Sequence, residues 1–320
     1  MTEQKIVFLD RDTIGPGVEF PKPSFKHHWV NYDKTRAGDT FRKAKDASII
    51  ITNKVEFDFE LIKKLPQIKH IAIAATGTNC VDLAAAKVLN VSVSNVPGYA
   101  TQSVTEHVFS MMLSLRRNLS SYQRDIVIGK WQASQQFCFY NDPIHDLAGS
   151  TLGLIGTGVI AQSVARVAEA FGMKVIFHSV SGRQNFAGQL VSFEELLTQS
   201  DIVSVHCPLN EKTENLLNGD AMNKMKPSAL LINTARGKIV DLDALRLILQ
   251  RKGIAGAGID VAPTEPPLKS ESIMYLNQMH NCVVTPHTAW ASVEAMQVLA
   301  NEIVLNLEAF VKGEERNIVN

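Results

Sequence analysis

The chain of 320 residues is long enough for two domains, each with its own core. Its 32 basic and 32 acidic residues give a formal charge of +0, so no field of one sign exists to gather nucleic acid or an anionic membrane, and a small molecule is the expected partner. Cys80, Cys138, Cys207 and Cys282 are scattered, with no C-x-x-C pair and no His near enough in sequence to complete a zinc cluster, so no metal is expected.

The start, MTEQKIVFLD, has no basic flank or signal-length apolar run, and no stretch approaches the roughly 20 apolar residues that span a bilayer. With reduced thiols, this leads to the expectation of a cytoplasmic protein. The runs IVFLD (6–10), ASIIIT (47–52), HIAIAAT (70–76) and VSVSNV (91–96) alternate with helix-like segments such as FELIKKLP and VDLAAAKVLN, the mark of parallel β-α units. His27 and His28, in a Pro-flanked stretch, read as surface residues of a loop.

From Thr101 the apolar residues take helical spacing, and one long helix is predicted near 101–125. Arg116 and Arg117 suit a helix end. The irregular aromatic stretch KWQASQQFCFYNDPIHDLAGS follows, and its Trp131, Phe137, Phe139 and Tyr140 are expected to pack or to form an arm between subunits.

A second alternating series then begins, with strands at TLGLIG, KVIFHS, DIVSVHC, ALLINT, GAGIDV and CVVTPH, and a last helix at SVEAMQVLANEIVLNLEAFVKG has no strand after it. The predicted fold is α/β with two doubly wound parallel-sheet domains: residues 103–289 form a dinucleotide-binding domain inserted into a domain of residues 1–102 and 290–320.

Gly156-Thr157-Gly158-Val159-Ile160-Ala161 follows one strand and opens a helix, and the next strand arrives where a βαβ unit requires it. Gly156 permits the tight turn, Gly158 lets backbone approach a pyrophosphate, and Ala161 allows close helix–strand packing. The phosphates would sit on the helix start, where free N–H groups and the dipole favour negative charge. At the end of the second strand an acidic residue usually takes the adenosine ribose; here Ser179 stands there, with Arg183 beyond it, a pair that suits a 2′-phosphate, so the cofactor is expected to be NAD or NADP.

Three strings, LINTARG, DVAPTEPP and VVTPHTAW, each begin as an apolar strand and stop at a residue that handles charge: Arg236, Glu265 and His287. Reduction of a 2-keto acid needs a hydride donor, a cation facing carboxylate and carbonyl, and a proton donor active near neutrality. Arg236 offers a fixed fork of donors suited to a carboxylate. His287 is the natural acid/base, and Glu265 hydrogen-bonded to it would orient the ring and favour its charged form. Pro266 and Pro267 would stiffen the loop that carries Glu265.

The order G-x-G-x-x-A, NTARG, DVxxxEPP, TPHTAW resembles the D-isomer-specific 2-hydroxyacid dehydrogenase family over nearly the whole chain. Within that family, PSFxHxW, ATGTN, QFCF and TPHTAWAS are similar to the glycerate dehydrogenase (hydroxypyruvate reductase) branch. The resemblance implies a Rossmann-type domain inserted into a flavodoxin-like substrate domain, a homodimer, and reduction of hydroxypyruvate and glyoxylate. It also implies that Arg236 binds the substrate carboxylate, that Glu265 supports His287, and that His287 donates the proton. The amides of Thr76 and Gly77 would face the same carboxylate, and Asn79 stands where many relatives have Asp. Cys207 and Pro208 would border the adenine. Thr213 and Asp260 match positions near the ribose and the nicotinamide amide, and Thr234, Ala235 and Ala289 would complete the cofactor contacts. The alternatives are a D-lactate or phosphoglycerate dehydrogenase, a formate dehydrogenase, which needs Gln in place of Glu265, and a dinucleotide-sensing corepressor on the same scaffold.

Overall fold

In a computed structural model, which describes residues 3–183 and 186–320, the chain forms two compact units, residues 1–100 with 291–320 and residues 101–290. The first unit opens with β1 (Gln4–Phe8), β2 (His27–Asn31), α1 (Thr40–Ala44), β3 (Ile49–Thr52), α2 (Phe59–Lys63), β4 (His70–Ile73), α3 (Leu83–Val88) and β5 (Ser92–Ser94). The second holds α4 (Thr101–Arg116), α5 (Leu119–Val127), α6 (Lys130–Ser134), β6 (Thr151–Ile155), α7 (Val159–Ala170), β7 (Lys174–His178), β8 (Gln189–Leu190), α8 (Phe193–Gln199), β9 (Ile202–Val205), α9 (Gly219–Met222), β10 (Leu230–Asn233), α10 (Leu242–Gln250), β11 (Gly256–Ile259), α11 (Ser272–Leu276) and β12 (Cys282–Val284). The chain then returns to the first unit as α12 (Val293–Lys312), whose start is capped by Ser292 accepting from the Ala295 amide.

All the named strand pairs among the described residues are parallel. In the first unit the order is β2-β1-β3-β4-β5, the flavodoxin-like arrangement, and in the second it is β12-β11-β10-β9-β6-β7-β8, the dinucleotide-binding order carried one strand further. Helices cover both faces of such sheets, so central strands are apolar without alternation. Every residue of β3, β4, β9, β10 and β11 is buried.

Three differences from the sequence expectations have physical causes. The helix predicted near 101–125 is two helices, because Asn118 takes a left-handed conformation (φ 50°) and the chain restarts as α5. His27 and His28 lie in edge strand β2, where no residue is fully buried and the sequence carries no apolar run. The short edge strand β8 was likewise invisible, its two residues being exposed.

Glycines set how closely α4 approaches its sheet. A Cβ on Gly258 would lie 2.9 Å from Met111 Sδ, and one on Gly256 would lie 3.3 Å from Leu115 Cδ2. Strand β11 reads GAGI because its alternate positions lie beneath the apolar side chains of that helix.

Candidate active site

The strand order of the second unit reverses direction between β6 and β9, and in open α/β sheets ligands bind beyond the carboxyl ends of strands at such a point. The glycine turn stands there. Gly156 has φ 115°, and a Cβ on it would lie 2.4 Å from the His206 carbonyl oxygen at the end of β9, so only glycine fits. Gly158 is different: a Cβ there meets nothing within 4 Å, so the backbone at the start of α7 faces open space. No side chain caps this 12-residue helix, whose first N–H groups have no partner within the helix itself. Thr157 and Ala161 are buried, Ile160 is half-buried, and Val159 is an exposed apolar residue on the first turn.

Two hydroxyls near this sheet edge are buried without a hydrogen-bond partner, Ser179 Oγ just after β7 and Thr234 Oγ1 just after β10. Buried polar atoms are rarely left in that state, so a polar ligand is the natural complement. Arg183 is exposed a few residues past Ser179. Cys207 is buried, and burial pushes its thiol up to about 11, which leaves it neutral and unsuited to nucleophilic attack at neutral pH.

The loop after β10 carries Arg236. Asn233 bridges it, accepting from the Ala235 amide at 3.0 Å and donating to the Arg236 carbonyl at 2.9 Å, while the half-buried guanidinium donates to the Ala235 carbonyl at 2.7 Å. The next residue explains the glycine of the ARG string. A Cβ on Gly237 would lie 2.0 Å from the Ala262 carbonyl carbon and 2.2 Å from its oxygen, because the loops after β10 and β11 cross in direct backbone contact. One crossing therefore places the Arg236 loop against the loop that carries Glu265.

Glu265 uses both oxygens. Oε1 accepts from the Ala262 amide at 3.0 Å, which folds the loop on itself, and Oε2 accepts from His287 Nδ1 at 2.6 Å. A ring whose Nδ1 is held by a carboxylate presents Nε2 as its working atom. His287 itself has φ 55°, a left-handed conformation uncommon for a residue with a side chain, and its amide donates to the Asp260 carbonyl at 2.7 Å.

Two residues expected at the cofactor are occupied inside the protein. Asp260, 1% exposed, spends both carboxylate oxygens on the His287 loop, accepting from Thr285 Oγ1 at 2.5 Å, the Thr288 amide at 2.9 Å and the Ala289 amide at 3.0 Å. Thr213 is fully buried; its hydroxyl donates to the Pro208 carbonyl at 2.7 Å and accepts from the Asn210 amide at 2.8 Å. Its side chain shapes the 208–213 loop.

In the first unit, Thr76 and Gly77 lie in the turn after β4. The Thr76 hydroxyl donates to the Val96 carbonyl at 2.8 Å, and its carbonyl accepts from Asn95 Nδ2 at 2.7 Å. A residue the sequence did not single out, Asp10, is buried after β1 and accepts from the amides of Asn53 (3.0 Å) and Lys54 (2.7 Å), joining the ends of β1 and β3. Its signal was only an Asp closing an apolar strand.

Residues 109–289 match the family model described as D-isomer specific 2-hydroxyacid dehydrogenase, NAD binding domain. The chain is 44% identical to the glycerate dehydrogenase of Methylorubrum extorquens over 99% of both chains. It is 33% identical to the hydroxypyruvate reductase of Blautia hydrogenotrophica over 99% of both chains. A crystal structure of an NADPH-dependent glyoxylate/hydroxypyruvate reductase from Sinorhizobium meliloti, in complex with NADP and malonate, matches with a TM-score of 0.83 at 27% identity, covering 99% of this chain and 97% of that one. The family model spans more than half of the chain and these relatives match it almost end to end: the chain belongs to the D-isomer specific 2-hydroxyacid dehydrogenase family.

Proposed function

We propose that this NAD(P)-dependent dehydrogenase reduces hydroxypyruvate to D-glycerate, and glyoxylate to glycolate. The observation that carries the reading is the 2.6 Å contact between His287 Nδ1 and Glu265 Oε2, because it fixes one ring nitrogen and leaves the other to serve a substrate. The names of the two relatives at 44% and 33% identity support the substrate.

A nicotinamide cofactor supplies the hydride when bound. Gly156, Thr157, Gly158, Val159 and Ile160 would hold its pyrophosphate on the start of α7. Ser179 would offer its unpartnered hydroxyl to the adenosine ribose, with Arg183 available to a 2′-phosphate, and Cys207 and Pro208 would wall the adenine. Thr234, Ala235 and Ala289 would complete the contacts, with Asp260 acting through the loop it holds.

Arg236 would take the substrate carboxylate in its guanidinium fork and polarise the keto oxygen, and the amides of Thr76 and Gly77 would also hold that carboxylate. As the carbonyl carbon gains hydride, its oxygen takes the proton from His287 Nε2. Glu265 holds the ring in one orientation through the transfer. The residues 1–100 and 291–320 form the substrate domain in this reading, and residues 101–290 the cofactor domain. A homodimer would use the 119–144 stretch, where Val127, Phe137 and Tyr140 are 80–88% exposed. A cytoplasmic setting fits the free cysteines.

The test is oxidation of NADH and NADPH with hydroxypyruvate, glyoxylate, pyruvate and phosphohydroxypyruvate side by side. Hydroxypyruvate should give the highest kcat/KM, and His287→Ala should lower kcat by about 10²- to 10⁴-fold. A preference for pyruvate or phosphohydroxypyruvate would overturn the substrate, and near-normal turnover of His287→Ala would overturn the proton donor.

A further inference from the structure

Helix α4 presents four residues at a spacing of four, Ser103, His107, Met111 and Leu115, and so along one face. Leu115 meets Gly256, Met111 meets Gly258, and His107 Nε2 lies 3.6 Å from Asp260 Oδ1. The register is physical: four helical residues rise about 6.0 Å and two strand residues about 6.6 Å, so each step along the face meets the next same-side position of the strand. Where β11 ends, the apolar contacts give way to polar ones. His107 Nε2 lies 3.0 Å from Thr285 Oγ1, and Ser103 Oγ donates to the Ala289 carbonyl at 2.7 Å.

Thr285 and Ala289 are the two ends of the loop that carries His287, so one helix face grips both. The donors settle the direction of the hydrogen bond between His107 and Thr285. Thr285 gives its one hydroxyl hydrogen to Asp260 at 2.5 Å, so toward His107 the oxygen accepts, and Nε2 carries the hydrogen.

We propose that His107, with Ser103, is a positioning residue for His287. His107 orients the Thr285 hydroxyl, that hydroxyl and the Thr288 and Ala289 amides donate to Asp260, and the carboxylate so engaged holds the loop in the shape in which His287 is left-handed. The helix thereby fixes where His287 Nε2 stands. This deepens the assignment of His287 as proton donor and rests on it.

The test has two arms. In the cofactor-free protein, His107→Ala should speed amide hydrogen exchange at Thr288 and Ala289 by about tenfold or more, and His107→Gln, whose side chain carries an N–H at similar reach, should restore the slow rates. With whichever keto acid the wild type reduces best, His107→Ala should lower kcat by roughly 10- to 100-fold, with KM and NADH affinity within about threefold, because misplacement of the donor by about an ångström acts on the chemical step. Thr285→Val breaks the same link from the loop side and serves if His107→Ala does not fold. Unchanged exchange in both variants, or a Gln variant no better than Ala, overturns the proposal. Since the exchange arm needs no substrate, absence of hydroxypyruvate turnover in the wild type would indict the substrate assignment alone.

Discussion

Gly237→Ala isolates the contact that joins the Arg236 and Glu265 loops. The added methyl would lie 2.0 Å from the Ala262 carbonyl carbon, whereas carbon atoms approach to about 3.5 Å, so the two backbones must part by about 1.5 Å. Backbone rather than a flexible side chain blocks the methyl, so the cost should fall toward the upper end of the 1–3 kcal/mol range for overpacking, and Tm should fall by about 2–4 °C per kcal/mol. The catalytic effect should exceed the stability effect. The displaced loops carry Arg236 on one side and, on the other, the Ala262 amide that holds Glu265, so Arg236, Glu265 and His287, to which the proposed reaction is assigned, move relative to one another. A shift of about 1 Å at a reacting group costs on the order of 10²-fold, and kcat/KM for hydroxypyruvate should fall by at least that factor in protein that is folded at the assay temperature. Steady-state kinetics beside thermal denaturation reads both numbers. A variant with wild-type kcat/KM would refute the account of the crossing, whatever its Tm.

Three further outcomes follow from the geometry and burial of single residues. Gly158→Ala places its methyl in open space at φ −75°, so Tm should stay within about 1 °C by the small cost of surface changes, while NADH binding followed by fluorescence weakens by tenfold or more; equal affinity would remove the pyrophosphate from that turn. His70 is buried between Ser92 and Ser94 and stacked on Phe310 at 4.5 Å, and burial holds its pKa down to about 3. The unfolded chain therefore binds a proton near pH 6.5 that the folded one refuses, and stability present above that pH is lost as pH falls toward 3. Between pH 6.5 and 4.5 the loss from this residue should be about 2 kcal/mol, read from urea unfolding as the difference between wild type and His70→Gln, and parallel pH profiles would refute it. Cys80, Cys207 and Cys282 have thiols pushed up to about 11, 11 and 12 by burial, so a thiol reagent at pH 7 should label Cys138 first, with the other three reacting on unfolding; fast labelling of Cys207 in the native protein would contradict its burial.

Local chemistry made much of this protein legible in its sequence. Apolar runs of strand length separated by helical periodicity fix parallel β-α units, because a strand covered on both faces has no other composition available. The G-x-G-x-x-A turn could be assigned from its own residues, since the demands on Gly156 and Ala161 act within one strand-turn-helix unit. Arg236, Glu265 and His287 were visible because each interrupts an apolar string with a charge-handling group. The edge strands β2 and β8 were not visible, since a half-exposed strand needs no apolar run, and neither was the break at Asn118, where one backbone torsion divides a continuous helical pattern.

What only the tertiary structure decided are relations between residues far apart in the chain. Gly237 is glycine because of Ala262, 25 residues on, and nothing near it in sequence says so. Asp260 and Thr213 matched cofactor positions, yet the fold spends their side chains on loops, since a buried carboxylate or hydroxyl takes the nearest donors and acceptors it is given. His107 carried no signal in a helix read for its apolar spacing. It gains a role only because helix rise and strand rise nearly match, so that a face beginning over two glycines ends over the carboxylate that holds the His287 loop.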